Sequence, residues 1–320
     1  MGKLIRRPAQ PPPVSLRDFH QKRDTVLVVR EAGGLGDILM HRMMFEDFKR
    51  VFPGCRIVWA VPPDYFQAAQ GHPFVDAVVD CRHVNIHDYL ISYNTTTACG
   101  RHEIRVAPLA DKHRSDIWAN HCGVLLSRHN MHLKITPEEK QWAAAKLRGV
   151  RGERSGPLVA LSPISAQIGK NLSRQQMAWL ARHLHQRGCC VFGLHHYPIE
   201  DLKPFPVLWG MSQRQWMAII DAADYVISVD TATFHCAGGL KKPLMGIFTY
   251  VDGKVYGKYF EFVLVQKHRD NGDWDCGPCF NWPNCPKSRD PVKPCLTEIG
   301  PELLAEGVEK MFQKWPLTLT

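Results

Sequence analysis

The chain has 320 residues, 45% of them hydrophobic and 22% charged, an ordinary globular balance whose length predicts two domains of roughly 150 residues each. No apolar run approaches the ~18 residues of a transmembrane helix, and the start, "MGKLIRRPAQPPPVSLRDFHQKRD", has charge but no apolar h-region, so neither a membrane span nor a signal peptide is expected, and a cytosolic protein is. A formal charge of +9 favours an acidic partner: a sugar nucleotide, a phosphorylated lipid at an anionic membrane surface, or nucleic acid. Charge alone does not choose among these, and a generally solvated basic surface has the same composition.

Residues 1–23 mix Arg, Lys and a Pro run and read as a flexible basic arm. From Thr25, strand-like apolar runs alternate with amphipathic helical stretches, the pattern of parallel sheets covered by helices. "TVLVVRE" is a buried strand. After it come a glycine turn and a helix carrying Ile38, Leu39, Met43 and Phe48, stopped by Pro53-Gly54. "RIVWAVP" and "VDAVVDC" are further strands. Between Asp80 and Ser127 the pattern weakens and reads as loops facing an acceptor. Thr136-Pro-Glu-Glu caps a helix running to about Leu147. The charged, glycine-rich "RGVRGERSGP" marks a boundary between a domain at 24–150 and a second at 157–300. The second half repeats the alternation: strand "LVALSPIS", a turn with Lys170, helix "SRQQMAWLARHLHQRG", strands "CCVFGLH" and "VLWG", helix "SQRQWMAIIDAA", strand "YVISVD", helix "ATFHCAGGL" and strand "PLMGIF".

The turn "GGLGD" fails as a dinucleotide fingerprint. Gly34 and Gly36 fit its first two glycines, but Leu39 stands at the third, and no acid ends the second strand until Asp64. Asp37 suits the helix dipole yet would repel a pyrophosphate. It is either a plain helix-stabilising acid or a functional one. The second half supplies the better anion site. Thr231, Ala232 and Thr233 open a short helix whose free N–H groups and hydroxyls can grip a diphosphate, with His235 one turn in and Lys170 on the neighbouring strand end. The plainer alternative is a Thr231 cap and a satisfied histidine.

Taken together, "GGLGD", "LSPISAQIGKNLS" and "SVDTATFHCAGGLKKPLMGIF", in this order over roughly Thr25 to Phe312, resemble glycosyltransferase family 9, the ADP-heptose heptosyltransferases. The resemblance implies a GT-B fold: two Rossmann-like domains facing a central cleft, acceptor on the first, donor on the second, and the last helix (301–320) packing back on the first. It implies that Asp37 is the general base, with Gly34 and Gly36 on the acceptor-side loop. By the same resemblance Lys170, Gly210, Asp230, Thr231, Ala232, Thr233 and His235 bind the donor. Ala232 stands where the family has glycine, Met43 where proline is common, and "GKNLS" lacks the usual tryptophan. The implied reaction is inverting transfer of a sugar, heptose by resemblance, from a nucleotide-diphosphate donor, ADP-heptose favoured, to a hydroxyl of the lipopolysaccharide core or another glycan. Helix N–H groups and one lysine can stabilise diphosphate departure, so no metal or cofactor is expected for the chemistry. A base of somewhat raised pKa is expected in a drying cleft. Two other readings stay open: a transferase acting on DNA or protein, and a non-catalytic module binding sugar nucleotides or nucleic acid.

Eleven cysteines are present. Most sit in apolar settings as reduced thiols. Cys276, Cys279, Cys285 and Cys295 crowd the 276–295 loop and suit a structural zinc or iron, or else pack or form a labile disulfide. Peripheral contact with the inner membrane face remains an expectation from the basic charge and the implied acceptor.

Overall fold

The computed structural model describes residues 24–267, 285, 289 and 294–317. The arm at 1–23 and most of the cysteine-rich loop lie outside the described residues. Two compact units divide the chain: the first holds residues up to Arg105 and Arg114–Lys134, the second Val106–His113 and Ile135 onward.

The first unit is built on a four-stranded parallel sheet of order β3-β2-β1-β4, with β1 Thr25–Val29, β2 Arg56–Val61, β3 Ala77–Asp80 and β4 Ile91–Asn94. β1 is central. Its Val26, Leu27, Val28 and Val29 are fully buried, as expected of a parallel strand covered on both faces. It pairs with β2 (Val28 opposite Trp59) and β4 (Val28 opposite Tyr93). β4 and the helices Ala98–Val106 and Arg114–His121 fall where the sequence pattern reads as loop. β4 is only partly buried and four residues long, too short to show a period.

The helix after β1 is not continuous. Leu35–His41 and Phe45–Val51 are α-helical, and Arg42–Met44 between them winds as a tighter 3-10 turn. Arg42 is buried there and donates to five backbone carbonyls: Nε to Met131 (2.7 Å), Nη1 to Ala68, Ala69 and Gln70 (2.9, 2.9 and 3.1 Å) and Nη2 to His132 (3.0 Å). Its side chain thereby ties the end of the short helix Phe66–Ala69 and the loop at Met131–His132 to this turn.

The second unit carries a six-stranded parallel sheet of order β10-β9-β8-β5-β6-β7, with β5 Leu158–Ser162, β6 Cys190–Leu194, β7 Val207–Leu208, β8 Tyr225–Val229, β9 Leu244–Phe248 and β10 Val263–Gln266. This is the Rossmann winding, in which the chain reverses direction between the first and fourth strands and leaves a crevice at their carboxyl ends. Here those strands are β5 and β8, paired with Leu161 opposite Ile227. In the first unit the same point lies between β1 and β4. β10 escapes a sequence reading because "VLVQ" is short and directly precedes the charged loop; its buried Gln266 donates to the Thr249 and Val251 carbonyls at the end of β9.

Three helices of this unit start on reciprocal capping boxes: Thr136 with Glu139, Ser173 with Gln176, and Ser212 with Gln215. The helix Pro137–Arg151 goes with this unit, so the division falls at 134/135 rather than near 150. It lies along the helix Gln213–Ala222, whose Arg214 grips Glu139 through two bonds of 2.7 and 2.6 Å. Residues 106–113 join this unit through buried His113, whose ring meets Tyr259 and Phe260.

The C-terminal helix Pro301–Lys314 belongs to the second unit and packs within it. Its stripe of Leu304, Val308 and Met311 joins the core formed with Met245, Val263, Val265 and Leu180. Gly307 lets it approach closely, since a Cβ at that position would sit 2.3 Å from Val265 Cγ2 and 2.9 Å from Met245 Sδ. Among the described residues no helix is long and apolar enough to cross a membrane.

Candidate functional site

In the first unit, the turn leaving β1 brings Asp37 against two guanidinium groups. Arg30, the first residue past the strand, is 3.2 Å from Asp37 Oδ2. Arg114, 77 positions away and opening its own helix, is 2.8 Å from Oδ1. Oδ2 also accepts the Gly34 N–H at 3.1 Å. Burial works to raise the Asp37 pKa, but the two arginines and the Gly34 N–H outweigh it, and the carboxyl is held below the usual carboxylate range. A somewhat raised pKa is expected from the sequence; the structure shows the reverse, because a partner 77 residues distant in the chain supplies the opposing charge.

Both arginines are themselves fixed. Arg30 is 4% exposed, donates to the Thr95 and Thr96 carbonyls (3.2 Å each) and stacks 4.8 Å from the Trp118 ring. Arg114 grips Glu103 with Nε to Oε1 at 2.7 Å and Nη2 to Oε2 at 3.0 Å. Gly33 makes the turn feasible. Its φ is +127°, and a Cβ there would meet Arg30 Nη2 at 2.5 Å and Asp37 Oδ2 at 2.7 Å. Of the two glycines picked out on the acceptor-side loop, Gly34 is the helix N-cap and touches Asp37 through its N–H, whereas a Cβ on it would meet nothing within 4 Å. Gly36 lies in the first turn of that helix. The glycine on which the geometry turns is therefore Gly33.

The strand ends around Asp37 are polar. Glu31 donates its N–H to Thr96 Oγ1 (2.9 Å) and accepts from Asn94 Nδ2 (3.2 Å); burial raises its carboxyl pKa against the pull of the Asn94 bond. Buried His41 contacts Thr95 Oγ1 at 3.0 Å, and that hydroxyl's own hydrogen goes to Val29 O. His41 Nε2 must therefore carry the proton, and burial, then Arg30, holds the ring neutral. Arg30, Glu31, Glu103 and Arg114 are the residues a sequence reading misses. Charge at the end of an apolar strand flags the first two, but no local signal marks the others.

In the second unit the switch-point crevice assembles the residues assigned to the donor. Lys170, ending the turn after β5, lies 2.6 Å from Asp230 Oδ2, and His235 Nε2 lies 3.4 Å from Oδ1. Asp230 is 6% exposed. Burial opposes its ionisation, but Lys170 and His235 hold its carboxyl far below the ordinary range. Lys170 is thus paired rather than free; one of its three ammonium hydrogens is committed and two remain. Thr231 caps the helix Ala232–Gly239 with extended backbone and no side-chain cap bond. The first backbone bonds of that helix are made by Phe234 and His235 to Thr231 O, so the N–H groups of Ala232 and Thr233 have no acceptor among the described residues. His235 Nδ1 is likewise buried without a partner. The open N–H groups of Ala232 and Thr233 stand at the start of the helix that follows β8, where an anion is favoured by the helix dipole. Gly210 follows β7 at φ +68°, and β7 lies two strands from β5 in the sheet.

Of the four clustered cysteines, Cys276 and Cys279 lie outside the described residues, and Cys285 and Cys295 are half-buried thiols. Among the described residues no three His, Cys, Asp or Glu side chains converge to hold a metal ion.

The family model for glycosyltransferase family 9 (heptosyltransferase) matches residues 112–280. No curated protein matches the sequence. Solved structures match the fold. A glycosyltransferase family 9 protein from Veillonella parvula is 14% identical with a TM-score of 0.68, over 92% of this chain and 99% of its own. The E. coli ADP-heptose LPS heptosyltransferase II is 14% identical with a TM-score of 0.63, over 91% and 99%. The dodecameric iron-containing heptosyltransferase TibC of enterotoxigenic E. coli, solved with ADP-D-beta-D-heptose, is 11% identical with a TM-score of 0.64, over 92% and 80%. With the family model spanning more than half of the chain and two Rossmann-wound units beneath it, the chain belongs to glycosyltransferase family 9 and is a GT-B glycosyltransferase that takes its sugar from a nucleotide-sugar.

Proposed function

We propose that the transfer is inverting, needs no metal for its chemistry, and moves a heptose from an ADP-heptose-like donor to a hydroxyl of the lipopolysaccharide core or another glycan. The observation that carries this reading is the anion site of the second unit: two unpaired helix N–H groups, the Thr231 hydroxyl and the spare hydrogens of Lys170 at one switch point. Such donors hold a diphosphate and stabilise the charge it gains on leaving. Asp37 is the base. The acceptor oxygen forms its bond to the anomeric carbon as the carbon–phosphate oxygen bond breaks; the bonding pair leaves with the nucleoside diphosphate and the acceptor proton goes to the Asp37 carboxylate. Backside displacement in one step inverts the anomeric centre. Gly210 belongs to the donor site at its far end, away from the diphosphate.

The protein works in the cytosol, at the inner membrane face where a glycolipid acceptor is presented, and its 276–295 cysteines hold a structural zinc or iron that takes no part in transfer. Tetrahedral thiolate sites suit either metal. Elemental analysis of the purified protein tests this point, and less than one equivalent of bound metal would refute it.

A thermal-shift screen of ADP-, UDP-, GDP- and CMP-sugars tests the donor. Binding to the folded state alone adds about 2.7 kcal/mol at a ligand concentration 100 times Kd, so the ADP-sugar should raise Tm by the largest amount. Silence from all four would sink the reading. The +9 charge keeps a DNA acceptor in view; retention on DNA that falls steeply with salt would favour it.

A further inference from the structure

Asp37 is gripped more completely than a base needs for orientation alone. A carboxylate offers about four lone-pair positions. On Oδ2, Arg30 Nη2 and the Gly34 N–H take two; on Oδ1, Arg114 Nη1 takes one. The remaining position is on Oδ1, beside Arg114. The two clamps differ in kind. Arg30 is sealed under the Thr95 and Thr96 carbonyls and Trp118, with its side chain 5% exposed, while the Arg114 side chain is 26% exposed and braced from behind by the two-bond grip of Glu103. Thus Arg30 and the Gly34 N–H hold Oδ2, and Arg114 alone holds Oδ1.

We propose that Arg114, braced by Glu103, is a positioning residue for the transfer reaction: it holds Asp37 in one rotamer with Oδ1 presented to the acceptor and sets the basicity of that oxygen. This rests on the assignment of Asp37 as base. Physically, the guanidinium stabilises the carboxylate over the carboxylic acid, so the group stays ionised at low pH and accepts the acceptor proton only as the anomeric carbon takes up the acceptor oxygen. Glu103 keeps the Arg114 side chain from relaxing into solvent, and its own charge moderates the field on Asp37.

The test is a pH profile of kcat/KM for the full chain and three variants. In Arg114→Ala the acid limb should move up by roughly one pH unit or more, as expected when an opposite charge at contact distance is removed. In the same variant kcat should fall while the donor KM stays unchanged, and millimolar guanidinium should restore part of kcat. Arg114→Lys should return the limb most of the way without restoring full kcat, because the ammonium lacks the fork that spans Asp37 and Glu103. Glu103→Gln, which leaves Arg114 in place, should lower kcat without moving the donor KM, and it carries the test if Arg114→Ala does not fold. An unmoved limb together with failed guanidinium rescue in Arg114→Ala, or an unchanged kcat in Glu103→Gln, overturns the proposal. Full activity in Asp37→Asn would instead overturn the base assignment beneath it, so the two failures are told apart.

Discussion

Asp37 and Asp230 are both carboxylates held by more than one partner, and the consequences of removing each differ because the first is the proposed base and the second pairs with a mostly buried lysine. Asp37→Asn keeps the shape of the turn and removes the proposed proton acceptor; kcat should drop roughly 100- to 10,000-fold, the usual worth of general base catalysis, while calorimetric donor affinity is unchanged. Asp230→Asn strands the mostly buried Lys170 ammonium, whose side chain is 16% exposed. Breaking a buried pair from one side costs about 3–5 kcal/mol, which denaturant titration will resolve. The pH dependence follows from the direction of both shifts. Each folded-state pKa is depressed, so each carboxylate contributes stability that is complete above its unfolded value, near ~4, and is lost as pH falls through the lower folded value. Acid unfolding should therefore show flatter pH dependence in Asp230→Asn than in the parent when Tm is followed from pH 6 downward.

At the level of elements, much was legible because the signals are local. The Thr136, Ser173 and Ser212 caps stand three residues before their Glu or Gln partners, and β5, β6, β8 and β9 are mainly apolar runs bounded by turns. Replacing Ser212 by Ala should cost about 1 kcal/mol through loss of that cap, read as a lower midpoint with an unchanged denaturant slope. The illegible parts are long-range. β4 is made a strand by pairing with β1, and Arg114 becomes part of the Asp37 environment only through tertiary contact. The glycine turn shows both cases: "GGLGD" announces a tight turn, but which glycine is indispensable depends on where Arg30 and Asp37 end up. Gly33→Ala should abolish transfer and destabilise the first unit by at least about 1–2 kcal/mol, the cost of left-handed backbone on an L-residue, whereas Gly34→Ala should fold normally. Equal behaviour of the two variants in thermal unfolding and activity would contradict this account.

For the whole molecule, each unit owns its core and its polar crevice at the same point of the same winding. The second unit depends on the last helix. Deleting residues from Pro301 onward removes Leu304, Val308 and Met311 from a closed core, each buried side chain worth about 1.5–3 kcal/mol, so the truncated chain should lose cooperative unfolding of that unit in calorimetry. The first unit depends on something of another kind. Arg42 is surrounded by carbonyl oxygens from one short helix end and one loop, the ligand set that many proteins offer to a structural calcium ion. A guanidinium bolted to the main chain fills the place of such an ion: no chelator can extract it, no change of buffer can dilute it, and no accessible pH can neutralise it. The two segments tied to Arg42 therefore stay fastened under conditions that would strip an ion-organised scaffold.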